Sequence, residues 1–286
     1  MIEQKRLLIC DLDNTLYDWV EYFVPSFYAM VDTAVQITGI DRERLLSDFR
    51  AVHQSVRDSE HPFSLLLTDS IKERYDNRSR AEVIKILDPA FHAFNSARKR
   101  QLTLYPGVRE GLEHLVKNGV TLVAHTESKT HGVVDRMRRL NLFHFFKIIY
   151  CRERTESELT PALDPTWFGD VPREKITELK DHQAKPNPAV LMEICRNENM
   201  SNFDTAYVGD SLYRDVLMAN RANVFAIWAK YGSVHREGFY EKLIRISHWS
   251  DDEIERERLD KQAHGPATPD AIAETSFTEV AKLLGY

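Results

Sequence analysis

Leu7-Leu8-Ile9-Cys10-Asp11-Leu12-Asp13-Asn14-Thr15-Leu16 joins an unbroken apolar run to two aspartates and a threonine. Leu7–Cys10 shows no alternation of polar and apolar residues, so both faces of the segment need cover, which is the pattern of a strand inside a parallel sheet. Comparable runs recur at Val120–Ala124, Lys147–Cys151, Thr205–Val208 and Val224–Trp228. Helical spacing fills the gaps between them. Val108, Leu112, Leu115 and Val116 share one face of a segment opened by Pro106-Gly107 and closed by Asn118-Gly119. Val133, Val134, Met137 and Leu140 repeat the spacing, as do Val190, Leu191, Ile194 and Cys195. Strands alternating with helices predict an α/β fold built on a doubly wound parallel sheet, whose ligand crevice lies at the carboxyl ends of the strands.

Two stretches break the alternation. Residues 19–100 carry helical patterns alone: Phe23, Phe27, Met30, Val31 and Ala34, then Leu45, Leu46, Phe49 and Val52, then Val83, Ile84, Leu87, Phe91 and Phe94. They predict a helical domain inserted after the first strand, with residues 1–18 and 101–286 forming the α/β core. Residues 152–184 are polar and charged, contain Pro161, Pro165 and Pro172, and are too long for an ordinary connection in a compact core. They read as an excursion over the surface. The charged stretch from His248 to Ala267 is expected to be a solvated helix or partly disordered.

Composition narrows the class of function. At 286 residues the chain can bury a sizeable core, and a net charge of −6 with 29% charged residues points to neither a nucleic-acid nor a membrane partner. The three cysteines, Cys10, Cys151 and Cys195, form no CxxC pair, so neither a disulfide framework nor a cysteine-rich zinc site is expected. The first apolar run meets two aspartates too soon to be a signal peptide or a membrane span. A cytoplasmic protein is the expectation.

If the chain stays extended past Cys10, Asp11 and Asp13 point to the same side. Close carboxylates collect a cation or divide nucleophile and acid roles between them. The pair alone decides nothing, because Asp-x-Asp also makes a turn followed by a helix cap and also serves metal-dependent nucleotide-sugar transferases. Taken singly, Thr126 is a helix cap, Lys185 beside Pro186 an exposed lysine before a helix, Gly209-Asp210 a turn, and Asp215 a solvated helix residue.

Order changes the weight of these residues. Asp11-Leu12-Asp13-Asn14-Thr15-Leu16 matches the first motif of the haloacid dehalogenase superfamily. Thr126 after the second strand, Lys185-Pro186 before a later helix, and Val208-Gly209-Asp210-Ser211 with Asp215 after the fourth strand match the motifs that follow. The resemblance covers roughly residues 5–18 and 100–230. It implies that Asp11 attacks phosphorus to form an aspartyl-phosphate. Asp13 would protonate the leaving oxygen and then activate water. Mg²⁺ would be held by Asp11, the backbone carbonyl of Asp13 and Asp210, with Asp215 nearby through water or paired with Lys185. Thr126 and Lys185 would bind the phosphoryl oxygens.

The resemblance also sets the alternatives. Dehalogenases of the superfamily generally lack the second aspartate, so Asp13 argues for phosphoryl chemistry. Phosphonate cleavage needs a lysine Schiff base in the cap, and nothing marks Lys72 or Lys85 as buried. A phosphomutase keeps both aspartates and stays open, as does a non-catalytic scaffold that retains the motifs. Glu127 stands where the family commonly has Asn; it would repel phosphate if it pointed inward, and faces outward or selects a cationic substrate otherwise. The helical insertion is similar to the family's C1-type cap, which favours small phosphorylated metabolites, a nucleoside monophosphate or a sugar phosphate among them. Tyr17, Trp19 and Tyr22 follow the nucleophile closely enough to line a substrate pocket or to pack between cap and core. The partner expected is therefore a small phosphate ester, with homo-oligomerisation left open.

Overall fold

The computed structural model describes residues 4–153, 168–169, 171–261 and 267–286. The chain divides into two compact units, one of Met1–Asp18, Thr103–Val234 and Arg256–Tyr286, the other of Trp19–Leu102 and His235–Glu255.

The first unit is a seven-stranded sheet. Its strands are β1 (Leu7–Cys10), β2 (Thr121–Lys129), β3 (Ile148–Arg152), β4 (Ile176–Leu179), β5 (Thr205–Gly209), β6 (Phe225–Ala229) and β7 (Ala271–Ala273), in the order β4-β3-β2-β1-β5-β6-β7. Every neighbouring pair is parallel, with Cys10 opposite Ala124 on one side and Val208 on the other. Strand order reverses on the two sides of β1, so the residues just past Cys10 stand at the switch point where open α/β sheets bind ligands. Leu7, Leu8, Ile9 and Cys10 are wholly buried, as their unbroken apolarity requires. Helices α5 (Val108–Lys117), α6 (Thr130–Arg139), α7 (Pro188–Asn197), α8 (Leu217–Arg221) and α11 (Thr278–Leu283) belong to this unit.

The second unit holds α1 (Trp19–Thr38), α2 (Arg42–Val56), α3 (Asp69–Arg74), α4 (Arg80–Gln101) and α9 (Phe239–Ile246). Ser79 and Glu82 form a reciprocal capping box that starts α4. Phe23, Phe27, Val31, Leu46, Phe49, Leu87, Phe91 and Phe94, the faces read from the sequence, lie in one apolar cluster.

The structure corrects three expectations. Part of the 152–184 excursion is a strand: Ile176–Leu179 pairs with β3 at the sheet edge, where exposed Glu178 and half-buried Ile176 and Thr177 suit a one-sided environment that polar composition had concealed. Pro161 and Pro165 lie outside the described residues. The second strand does not stop before Thr126 but runs to Lys129, its register against β3 shifting between His125 and Lys129. The C-terminal half is not all core: α9 buries Leu243 and Ile246 in the helical unit's apolar cluster. Part of the charged tail forms α10 (Asp251–Lys261). Among the described residues no helix is long and apolar enough to cross a membrane.

Candidate active site

Past β1 the chain stays extended for one more residue, the Asp11 amide donating to the Val208 carbonyl at 2.9 Å. It then turns tightly. Thr15 and Leu16 both return their amides to the Leu12 carbonyl, and Asn14 takes a left-handed conformation (φ +56°) that asparagine tolerates better than most residues. The loop after β6 braces this turn: Tyr231 donates its hydroxyl to the Thr15 carbonyl at 2.8 Å, and Gly232 lies so close to the Asn14 carbonyl that a Cβ there would collide with it.

The turn carries Asp11 to the centre of a buried charge cluster. Lys185 Nζ donates to Asp11 Oδ1 at 2.5 Å and to Asp215 Oδ1 at 2.8 Å, and the lysine side chain is only 3% exposed. Thr15 Oγ1 donates to Asp11 Oδ2. Asp215 is fixed further by the Tyr207 hydroxyl at 3.2 Å and the Ser211 amide at 3.1 Å. Gly209 is required here because a Cβ would strike the Asp215 carboxylate. Asp11, Asp210 and Asp215 each offer a carboxylate oxygen, all within 4.8 Å of one another.

One lysine among these acids leaves the cluster net negative. Burial pushes the Asp11 carboxyl up to about 7, with Lys185 opposing the shift and Asp215 adding to it. Burial alone would lower the Lys185 ammonium, but Asp11 and Asp215 more than reverse that and hold it above the ordinary lysine range. A buried excess of hard oxygen donors, unfavourable by itself, fits a divalent metal ion.

Asp13 belongs to a second cluster. Ser128 Oγ donates to Asp13 Oδ2 at 2.5 Å, and the Arg136 guanidinium lies 3.4 Å from Asp13 Oδ1 while donating to Ser128 Oγ and to the Tyr17 hydroxyl at 3.0 Å. Arg136 is entirely buried. Thr126, also buried, accepts the Ser128 amide on its hydroxyl oxygen at 3.1 Å. Glu127 turns toward the protein, where Oε1 accepts the Lys185 amide at 3.1 Å and Oε2 lies 3.5 Å from Arg152. Its charge is thus engaged with groups that hold the lysine in place.

The three aromatic candidates resolve differently from the pocket reading, Tyr22 lying in the helical unit's apolar cluster. Tyr17 is fully buried with Arg136 against its ring, so it backs a guanidinium and offers no surface to a substrate. Trp19 stacks on Phe23 at 5.0 Å and donates to Glu60 inside the helical unit. Sequence reading passed over Ser128, Arg136 and Tyr207. Arg136 had a visible signal, a charged residue set among Val133, Val134 and Met137 on the face expected to be buried, whereas Ser128 and Tyr207 had none.

Comparison with known proteins places this geometry among relatives. The chain is 25% identical over 238 residues to a phosphoglycolate phosphatase of Nitrosococcus oceani, covering 82% of this chain and 88% of that protein. It is 25% identical over 236 residues to a glyceraldehyde 3-phosphate phosphatase of Methanopyrus kandleri, covering 79% and 84%. In fold it is similar to the crystal structure of a 2-haloacid dehalogenase from Pseudomonas syringae pv. tomato, with a TM-score of 0.56, 20% identity, and coverage of 100% of this chain and 99% of that one. The model of the haloacid dehalogenase-like hydrolases matches residues 5–223, a span that carries every strand-end residue gathered around Lys185. The chain is therefore an enzyme of the haloacid dehalogenase-like hydrolase family.

Proposed function

We propose that the protein hydrolyses small phosphate monoesters in the cytoplasm through a phosphorylated Asp11, and that Asp11, Asp210 and the backbone carbonyl of Asp13 would hold Mg²⁺, with Asp215 nearby through water or paired with Lys185. The observation that carries this reading is the buried Asp11, shared by one lysine and facing two further acids at the switch point of the sheet. When bound, Mg²⁺ neutralises this negative site so that a phosphate dianion can approach, and offsets charge on the phosphoryl oxygens.

The protein's own groups divide the remaining work. Thr15 and Lys185 orient the Asp11 carboxylate, leaving it a nucleophile fixed at the carboxyl end of the central strand. Lys185 and the Thr126 hydroxyl stabilise the phosphoryl oxygens, where charge builds as the ester bond breaks. Asp13 gives a proton to the leaving oxygen and afterwards takes one from water. Relatives that act on phosphoglycolate and glyceraldehyde 3-phosphate support a two- or three-carbon phosphate as substrate. Three buried free thiols accord with a reducing compartment.

The test is phosphate release from 2-phosphoglycolate, glyceraldehyde 3-phosphate and a panel of sugar and nucleoside monophosphates. Release should stop in excess chelator and return with Mg²⁺. Full activity in chelator would sink the metal assignment, and no release from any ester would sink the hydrolase reading.

A further inference from the structure

A buried guanidinium is expensive to keep in a fold, because desolvation often exceeds what its ion pairs return, and apolar side chains of like volume serve packing as well or better. Arg136 nevertheless lies fully buried on α6 between Val133, Val134 and Met137. Its contacts converge on one carboxylate. It stands 3.4 Å from Asp13 Oδ1, donates to the Ser128 hydroxyl that in turn donates to Asp13 Oδ2, and is itself steadied by the Tyr17 hydroxyl and ring. Both oxygens of Asp13 are therefore addressed by groups of β2 and α6, so the turn that carries the residue does not fix its carboxylate alone.

We propose that Arg136, acting with Ser128 and backed by Tyr17, is the positioning residue for the Asp13 side chain, and thereby sets how well the enzyme expels poor leaving groups. The inference rests on the acid–base role given to Asp13 above. In the first half-reaction an Asp11 oxygen bonds to phosphorus, the P–O ester bond breaks, and its electron pair stays on the leaving oxygen, which takes the proton of the Asp13 carboxyl. In the second, the Asp13 carboxylate takes a proton from water as the water oxygen bonds to phosphorus. The bond from phosphorus to Asp11 breaks, returning its electrons to Asp11. Both transfers need Asp13 within hydrogen-bond reach of an oxygen whose place is set by substrate.

Two variants carry the test, because Arg136→Met can lose stability while Ser128→Ala removes only a hydroxyl. Each is compared with the parent and with Asp13→Asn on 2-phosphoglycolate, or on whichever alkyl phosphate the screen ranks higher, and on p-nitrophenyl phosphate, whose leaving group departs without a proton. Arg136→Met should lower turnover of the alkyl ester by about 10²-fold and Ser128→Ala by about 10-fold, while the rate of nitrophenolate release in the first turnover, read by rapid mixing, changes by less than about 3-fold. Added to Asp13→Asn, neither substitution should slow the reaction further, since residues acting through one group do not lose independently. Equal losses in the first, phosphorylating step on both esters, or multiplied losses in the double variants, would overturn the positioning role. An Asp13→Asn variant without leaving-group dependence would overturn the role of Asp13 itself, and the inference with it.

Discussion

The two units bury polar side chains of different kinds. In the helical unit Ser26, Thr38, Thr68 and Ser64 donate to backbone carbonyls three or four residues away, and His53 reaches the Ile246 carbonyl and the Ser64 hydroxyl. All are neutral groups, and the hydroxyls meet their need within one turn of the chain at little cost. The α/β unit buries neutral hydroxyls too, Thr15, Thr126 and Thr205 among them, but adds charged groups drawn from distant parts of the chain: Asp11, Lys185 and Asp215 in one cluster, Asp13 and Arg136 in another. Charges so assembled contribute little to stability and mark where chemistry is done. The helical unit is optimised for packing, and the strand ends of the sheet give up stability to hold an active site.

Substitutions at the strand ends should break the comparison most visibly. Asp11→Asn is expected to lower phosphate release by at least about 10⁴-fold, because no carboxylate remains to take the phosphoryl group. The same change should raise the melting temperature in chelator, since it removes a buried carboxylate that burial and Asp215 disfavour. Thermal scans with chelator and with Mg²⁺ check this; a variant less stable than the parent in chelator would contradict the view that these charges cost stability.

Lys185→Ala should reduce turnover by about 10²- to 10³-fold, the range for loss of one preorganised charge at a developing anion. It should also leave Asp11 and Asp215 facing each other uncompensated. Chelator should therefore destabilise this variant more than the parent, with Mg²⁺ restoring part of the loss. Unchanged steady-state kinetics would remove Lys185 from the site.

The smallest effect belongs to the helical unit and is a matter of pH. Burial lowers the His53 ring to about 4, so the native state keeps it neutral while the unfolded chain takes a proton near 6.5. The unfolded state binds more protons between these values. Stability is therefore whole above about pH 6.5, falls as the pH drops toward 4, and levels below it, a loss on the order of 3 kcal/mol. His53→Gln should flatten that slope without altering the pH dependence of Asp11-linked chemistry. Denaturant unfolding of parent and variant from pH 7.5 to 4.5 measures it, and parallel curves would refute it.

Much of the α/β unit was legible because its signals are local. Leu7–Cys10, Thr205–Val208 and Val224–Trp228 carry unbroken apolarity that only a two-sided interior explains, and the order of Asp11, Thr126, Lys185 and Asp210 carried the family resemblance. Ile176–Leu179 was hidden because an edge strand is buried on one side only, and its charges resemble a loop. Phe239–Ile246 fell within the expected core range because nothing in a late segment's sequence tells that its helix packs with an early insertion. Glu127 could not be oriented from sequence, since its partners Lys185 and Arg152 lie 58 and 25 residues away. Arg136 shows the same limit, because a charge on an apolar face signals a buried partner without naming it.

The central claim, that Asp11 carries the phosphoryl group while Asp13 moves protons, is tested most directly by pre-steady-state mixing of Asp13→Asn with excess p-nitrophenyl phosphate and Mg²⁺. Nitrophenolate needs no proton to leave, so the first step survives, whereas hydrolysis of the aspartyl-phosphate lacks its base. A burst of about one nitrophenolate per active site should precede slow turnover, and acid quenching should recover the phosphoryl group on Asp11. Absence of both burst and trapped Asp11 phosphate, with equal losses on nitrophenyl and alkyl esters, would contradict the division of labour between the two aspartates.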